Sequence, residues 1–461
     1  MSIRLPLVCA CLILPAVPVR ADFAADYNAA LAQGHVAEAE ALAGARLSAA
    51  PADEQARFAL GAAQFLGAIE ALGQGLYRYG VNNGEGSMIV EEVPFLRLPL
   101  PTNPAPEQAS YTGLRTLLAE FVEGLGRAEA TLAAISDAPV KLPVRLGAVR
   151  LDFDGDGKGA TYEGLAAILA TVAKVAPPPE SFTVHFDESD VPWLRGYAHL
   201  LSAMAEFPLA HDWQATFDQT FHSVFPQSDL PSSELWQETL RTRNWLKSQD
   251  IPEGFDFSSD YEWEDLERWQ QSPEGKARME FENSDRYPEV TRRDDAILLS
   301  GYADLLAFVR LIDWPVVEPE RLSSARRHLL SMIALSRESW RRIKAETDDD
   351  LEWVPAPRQT GPFPDMRVND DLVTSWHGFL DGFEGVLEGR LLLPHWRFQS
   401  ERGLNIRRMM EEPRRFDLLM ILHGAAALPY IEVGKLADGS TMDAAEDVLF
   451  GGLLAYFLWF N

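Results

Sequence analysis

Along most of this chain apolar residues recur at the three- and four-residue spacing of a helix, and no period-two run is long enough for a substantial sheet. From Gly113 to Ile135, for example, Leu114, Leu117, Leu118, Phe121 and Leu125 share one face. The same spacing predicts helices over 161–175, near 191–206, 212–222, 233–248, 293–312 and 319–346, and at roughly 371–390, 414–427 and 441–459. With 47% hydrophobic residues, the helices can bury a core of their own. The expected fold class is mainly α: a multi-helix bundle or hairpin array, interrupted by a loop-rich insertion.

The only cysteines, Cys9 and Cys11, lie close to the start, so the rest of the chain has no disulfide and no thiolate-bound metal. They fall within a segment that reads as a signal peptide over 1–21: Arg4, the apolar run Leu5 to Val19, then Val19-Arg20-Ala21, with Asp22 as the first mature residue. That run, like the apolar stretch Val448 to Phe460, falls short of the about 20 residues a helix needs to cross a bilayer. The mature chain is therefore expected outside the cytoplasm, periplasmic in a diderm bacterium or secreted, without an integral membrane segment. A formal charge of −28, from 69 acidic against 41 basic residues, repels nucleic acid and draws cations. No basic patch with interleaved aromatics relieves it, which excludes a nucleic-acid partner.

Composition and turn signals divide the remainder into 22–78, 79–250, 251–290 and 291–461. Residues 22–78 are alanine-rich. The run GHVAEAEALAGARLSAAP from Gly34 to Pro51 has a glycine before its helix, Ala39 at a small packing position, Leu47, and Pro51 to close it. The next stretch, DEQARFALGAAQF, continues with Ala56, Phe58 and Leu60-Gly61. Together they resemble one and a half tetratricopeptide repeats, with Arg46 where the repeat usually has a small residue. The resemblance implies helical hairpins packed on the rest of the chain. Residues 79–250 begin with a loop-rich stretch, Tyr79 to Tyr111, and then read as a helical domain; 251–290, acidic and aromatic without periodicity, reads as an insertion or long loop; 291–461 is again helical.

The most specific chemistry lies in Asp152-Phe153-Asp154-Gly155-Asp156-Gly157-Lys158-Gly159-Ala160-Thr161-Tyr162-Glu163. A hard divalent cation wants about six to eight oxygens at about 2.3–2.6 Å, and carboxylates at alternate positions of a curled loop supply them. This segment resembles the calcium loop of the EF-hand family. The resemblance implies calcium held by Asp152, Asp154 and Asp156, the Lys158 carbonyl, a water at Ala160 and a bidentate Glu163, with Gly157 permitting the sharp turn. Gly159 stands where paired EF-hands place a branched aliphatic residue, the incoming LPVRLGAVR looks extended, and no second such loop occurs. A lone structural site is implied, for which an affinity of about 10⁻⁴–10⁻³ M suffices outside the cytoplasm.

One helix carries a further constellation. At helical pitch His377, Asp381, Glu384 and Glu388 form one stripe of 371–390, beside a glycine stripe of Gly378, Gly382, Gly385 and Gly389 that implies close approach of another backbone. If enclosed with His199 or His423, that acidic stripe could hold a metal or run general acid–base chemistry. Two acidic groups rank lower: His185, Asp187 and Asp190 ahead of a helix bearing His199 and Glu206, and Asp348-Asp349-Asp350 with Glu346 and Glu352. No nucleophile elbow, zinc-protease, phosphate-loop or dinucleotide motif is present. The leading expectation is an exported, calcium-binding, non-enzymatic interaction or structural module of the cell envelope, with a protein or peptide as the kind of partner it would take. The alternatives are a metal-dependent hydrolase using the 377–388 stripe and a carrier with a small-ligand pocket between helical halves.

Overall fold

The computed structural model describes residues 23–82, 87, 89–90, 96–136, 139–173, 179, 181–249, 251, 270–363, 368–398, 401–437 and 459. The proposed signal peptide, and the expected 441–459 helix apart from Trp459, lie outside them.

The alanine-rich start forms α1 (Phe23–Ala32), α2 (Val36–Ala49) and α3 (Glu54–Arg78). Asp53 begins α3 by accepting the Ala56 N–H at 2.9 Å, and its other oxygen holds Arg46 of α2 at 2.6 Å, so one carboxylate joins cap and hairpin. Ser110 caps α4 (Tyr111–Ala133) in the same way, through the Gly113 N–H at 3.1 Å. Two strands follow, β1 (Lys141–Arg145) and β2 (Thr183–Asp187), paired antiparallel from Lys141↔Asp187 to Arg145↔Thr183. The acidic loop 152–163 and the short α5 (Leu165–Ile168) belong to the excursion between them. Where a helix over 161–175 is expected, the backbone winds as a 3₁₀ turn, then α5, then a π turn through Ala173.

Beyond β2 come α6 (Asp190–Leu209), α7 (Gln214–Thr220), α8 (Ser233–Lys247), α9 (Pro273–Glu282) and α10 (Tyr287–Arg310). The two-residue β3 (Asp313–Trp314) leads into α11 (Pro319–Ile343) and α12 (Asp370–Leu387). The last described stretch alternates short pieces: β4 (Leu393–Pro394), β5 (Arg402–Leu404), α13 (Ile406–Glu411), β6 (Phe416–Asp417), α14 (Leu418–His423) and β7 (Ile431–Val433). Strand β3 pairs with β6, and β5 lies between β4 and β7. The fold is mainly α, as the spacing predicts. Within the segment that reads as loop, α9 forms because Ser272 accepts the Gly275 N–H at 3.0 Å, Pro273 opens the first turn, and Phe281 is buried.

The long helices pack as successive neighbours: α2 on α3, α3 on α4, α4 on α6, α6 on α11, and α11 on α12 and α13. One apolar core runs through this array, from Tyr27 through Leu125, Phe217 and Met332 to Trp376 and Leu380. Arg115 of α4 stitches three helices. It donates to the Leu209 and His211 carbonyls at 2.7 Å, where the negative end of α6 lies, and to Glu318 Oε1 at 2.6 Å, at the start of α11. Among the described residues no helix is long and apolar enough to cross a membrane.

Close packing is tightest at Gly73 of α3. A Cβ there would stand 2.1 Å from Cδ1 of the fully buried Phe153. By contrast, a Cβ at Gly44 of α2 meets only Leu60, at 4.0 Å. Alanine gains about 1 kcal/mol over glycine in a helix interior, whereas forcing atoms into a filled core costs about 1–3 kcal/mol. Gly44→Ala is therefore expected to stabilise the protein and Gly73→Ala to destabilise it, read as opposite shifts of the urea midpoint.

Candidate functional site

The acidic loop is built into the core. Phe153 inserts its ring beside Gly73, while Glu70 of α3 accepts the Asp152 N–H at 2.8 Å and Gln74 donates to the Asp152 carbonyl at 2.7 Å. On its other flank the loop meets the α1–α2 turn. The Gly159 N–H donates to the Gln33 carbonyl at 2.8 Å, His35 Nε2 lies 3.2 Å from the Gly157 carbonyl, and a Cβ on Gly159 would fall 2.9 Å from the Gly34 Cα. The two ends of the loop are tied by Leu151 N–H to the Glu163 carbonyl at 3.0 Å and Leu165 N–H to the Val149 carbonyl at 2.9 Å.

Inside that frame Asp152, Asp154 and Asp156 each bring a carboxylate oxygen within 4.8 Å of the others. Gly155 and Gly157 take φ of 71° and 82°, the left-handed region in which a side chain is strained, and so turn the chain about this point. Asp152 Oδ2 accepts the Gly157 N–H at 3.0 Å across the turn, and Asp154 Oδ1 accepts the Asp156 N–H at 3.1 Å. Asp152 Oδ1 is shut away from solvent and accepts nothing. A buried acceptor without a donor is costly unless something supplies positive charge. The donor set, all oxygen, suits a hard cation.

Glu163 stands apart from the three aspartates. It is fully buried, and both its oxygens are occupied: Oε1 accepts the N–H groups of Phe153 at 2.8 Å and Asp154 at 3.1 Å, and Oε2 accepts that of Ala160 at 2.7 Å. Oε2 keeps one acceptor site, but a bidentate grip on an ion would require Oε1 to release at least one of its two bonds. Burial pushes its pKa up; the Ala160 and Asp154 N–H groups oppose that, and the Asp154 charge adds to it. Lys158 is exposed on the rim. Sequence spacing misses two contributors. Tyr162 donates to Asp154 Oδ2 at 3.0 Å, and Glu70 adds a carboxylate from α3.

The stripe of α12 looks outward. Asp381 is 74% exposed and accepts Arg337 Nη2 at 2.6 Å; Glu384 takes Arg337 Nη1 at 3.0 Å and Arg390 Nη2 at 3.2 Å; Glu388 takes Arg390 Nε at 2.5 Å. His377 is half-buried, and its pKa is lowered by burial first and by Lys344 next. Guanidinium groups thus neutralise the carboxylates expected to hold a metal. His199 is engaged elsewhere, with Nδ1 2.7 Å from Nδ1 of His328 and Nε2 3.5 Å from Glu129, and His423 is exposed at the end of α14. Of the glycines, Gly378 faces open space, and at Gly385 and Gly389 the close approach is to side chains, of Leu391 and of Asn405 and Arg407, and not to a backbone.

The two lower-ranked acidic groups, far apart in sequence, do meet. Asp187, Glu346 and Glu352 each place an oxygen within 4.8 Å of the others. Burial, with the neighbouring acids adding to it, raises Asp187, Asp190 and Glu346 and pushes Glu352 up to about 7.

The fold thus defines a mainly α-helical protein with, among the described residues, two groups of converging carboxylates, one of them in a tight glycine turn. The chain matches no protein-family model, no curated protein and no solved structure.

Glu70 provides a test of the electrostatics. Burial, opposed by the Asp152 N–H and aided by the charges of Asp152 and Glu163, pushes its pKa from 4.5 up to about 7. Below 4.5 the group is protonated whether the chain is folded or unfolded; between 4.5 and about 7 only the unfolded chain ionises it. Its contribution to the ion-free protein is therefore lost as pH rises across that window and is constant above it. Glu70→Gln is expected to flatten this fall, followed as urea midpoints at both ends of the window.

Proposed function

We propose that the chain is an exported, calcium-stabilised helical protein of the cell envelope that works by binding and holding, not by catalysis. The observation that carries this reading is the curled trio Asp152, Asp154 and Asp156 around the unpaired, buried Asp152 Oδ1. The calcium loop belongs to the kind found in EF-hands, and its ion is structural. Held between Gln33–His35 and the Glu70–Gln74 stretch of α3, the loop lets one ion brace the α1–α3 hairpins against the β1–β2 pair. Calcium at this point offsets the repulsion among Asp152, Glu163 and Glu70. The face offered to a partner is the outer side of α10, where Leu298, Leu299, Tyr302 and Leu306 are each at least half exposed.

A second reading, a carrier for an apolar small ligand, is favoured by two cavities lined almost wholly by hydrophobic side chains. One, of about 230 Å³, lies among Tyr27, Phe58, Leu142, Leu165, Trp193 and Trp353; the other, of about 480 Å³, lies among Leu76, Leu118, Phe207, Trp213 and Trp314. The larger is within the range of about 300–1,000 Å³ usual for small-molecule sites.

Calcium is expected to raise the melting temperature of the mature protein relative to chelator, and Asp152→Asn or Asp156→Asn to remove that rise while leaving the far-ultraviolet dichroism unchanged. Identical melting curves in calcium and in chelator would overturn the reading.

A further inference from the structure

Helix α10 is held on one side and left open on the other. Its inner face is fixed at three heights. Val290 is fully buried, Arg293 lies over the Trp245 ring of α8 at 4.2 Å from the centroid, and Asp304 Oδ2 is 3.3 Å from His222 Nε2. At about 100° per residue the opposite face falls on Asp295, Leu299, Tyr302, Leu306 and Arg310, all within a sector of about 80°. Leu299 is 66% exposed, Leu306 70% and Tyr302 50%, with Leu298 beside them. A single exposed apolar side chain needs no explanation, but four on one face of one helix mark a docking surface. Helix α14 lies against α10 and widens that surface with Leu419, Met420 and Leu422, each at least 40% exposed.

The charges at its two ends say what covers it. An acid, Asp295, stands four residues before Leu299, and a base, Arg310, four residues after Leu306, with Tyr302 between. Neither Asp295 nor Arg310 is ion-paired among the described residues, whereas Arg292 and Arg293 of the same helix are both spent on Glu289, at 2.7 and 2.6 Å. A copy of α10 laid antiparallel brings Arg310 against Asp295 at both ends. Leu306 then falls across from Leu299 twice, and Tyr302 comes near the axis. This is the self-complementary geometry of a twofold dimer. A parallel copy would set like charges together. A bilayer fits the stripe poorly, since a membrane-surface helix flanks its apolar face with Lys and Arg, and here an acid stands in line with the leucines.

We infer that a second copy of this chain covers the outer face of α10, the two helices pairing antiparallel about a twofold axis near Tyr302. The inference rests on the reading of that face as a docking surface and supplies its partner. An interface built on one helix pair lies at the small end of specific contacts, below about 1,200 Å², so the dimer is expected to dissociate on dilution.

Sedimentation equilibrium of the protein in calcium, over a range of loading concentrations, tests this. A mass rising from one chain to two is expected. Leu306→Glu is expected to abolish the rise. Asp295→Arg and Arg310→Asp are each expected to raise the dissociation constant about tenfold, because each sets like charges across the axis. Mixed together, those two single variants are expected to pair again, each supplying the charge the other lacks. All three substitutions fall on exposed side chains, and far-ultraviolet dichroism checks the fold. A mass of one chain at every concentration would overturn the inference, and flotation of that monomer with phosphatidylcholine vesicles would give the face to a lipid surface instead. A dimer that Leu306→Glu leaves intact would overturn the docking surface itself. The calcium-dependent melting of Leu306→Glu is expected to match wild type, so the calcium reading stands or falls separately.

Discussion

Much of this structure depends on one aromatic ring set into one helical gap. Phe153 fills the space that Gly73 leaves in α3, and by doing so presses a strongly acidic turn against a helix that carries a further carboxylate, Glu70. Apolar burial of about 1.5–3 kcal/mol for such a side chain opposes the repulsion that gathering these acids creates. On the other flank the backbones at Gly34 and Gly159 approach so closely that a Cβ on either would collide with the other chain segment. The loop is thus located by packing, with its aspartates curled toward one another. Pre-organisation of this kind lowers the ordering cost of binding.

The same balance of burial against charge recurs through the molecule, with different solutions. Along α12 the acids face water and are met by Arg337 and Arg390, a solvated arrangement worth little individually. At Arg115 a cation is spent on the carbonyl end of α6 and on Glu318. In the 152–163 loop and at Asp187, Glu346 and Glu352 no guanidinium or ammonium is inserted among the described residues, although the chain has 41 basic residues to draw on. The contrast separates carboxylates paired with guanidinium groups at the surface from carboxylates gathered without a cationic side chain.

The helices themselves were legible because local signals agree: an Asp, Ser or Asn cap, an apolar face at helical pitch, and a breaker after it. Helix α4 is expected from Gly113 and begins at Tyr111, a difference set by the Ser110 cap. Helix α9 also announced itself locally, through Ser272-Pro273-Glu274, but ten residues with one buried aromatic give too little periodicity to stand out. The aspartate trio was readable because its geometry is encoded in consecutive residues. What spacing cannot carry is a meeting between segments distant along the chain. The approach of Glu346 and Glu352 to Asp187, the docking of Glu70 under Asp152, and the arginines facing the α12 stripe all follow from the helix array. So does the posture of Glu163, whose carboxylate is turned onto three backbone N–H groups instead of toward the aspartates.

A crystal structure of the protein grown in millimolar calcium tests the central claim most directly. The account predicts an ion at the convergence of Asp152, Asp154 and Asp156, with Asp152 Oδ1 and the Lys158 carbonyl among its oxygens and Glu163 released from at least one N–H to join them. Empty density at that point, with the three aspartates turned away from one another, would contradict it.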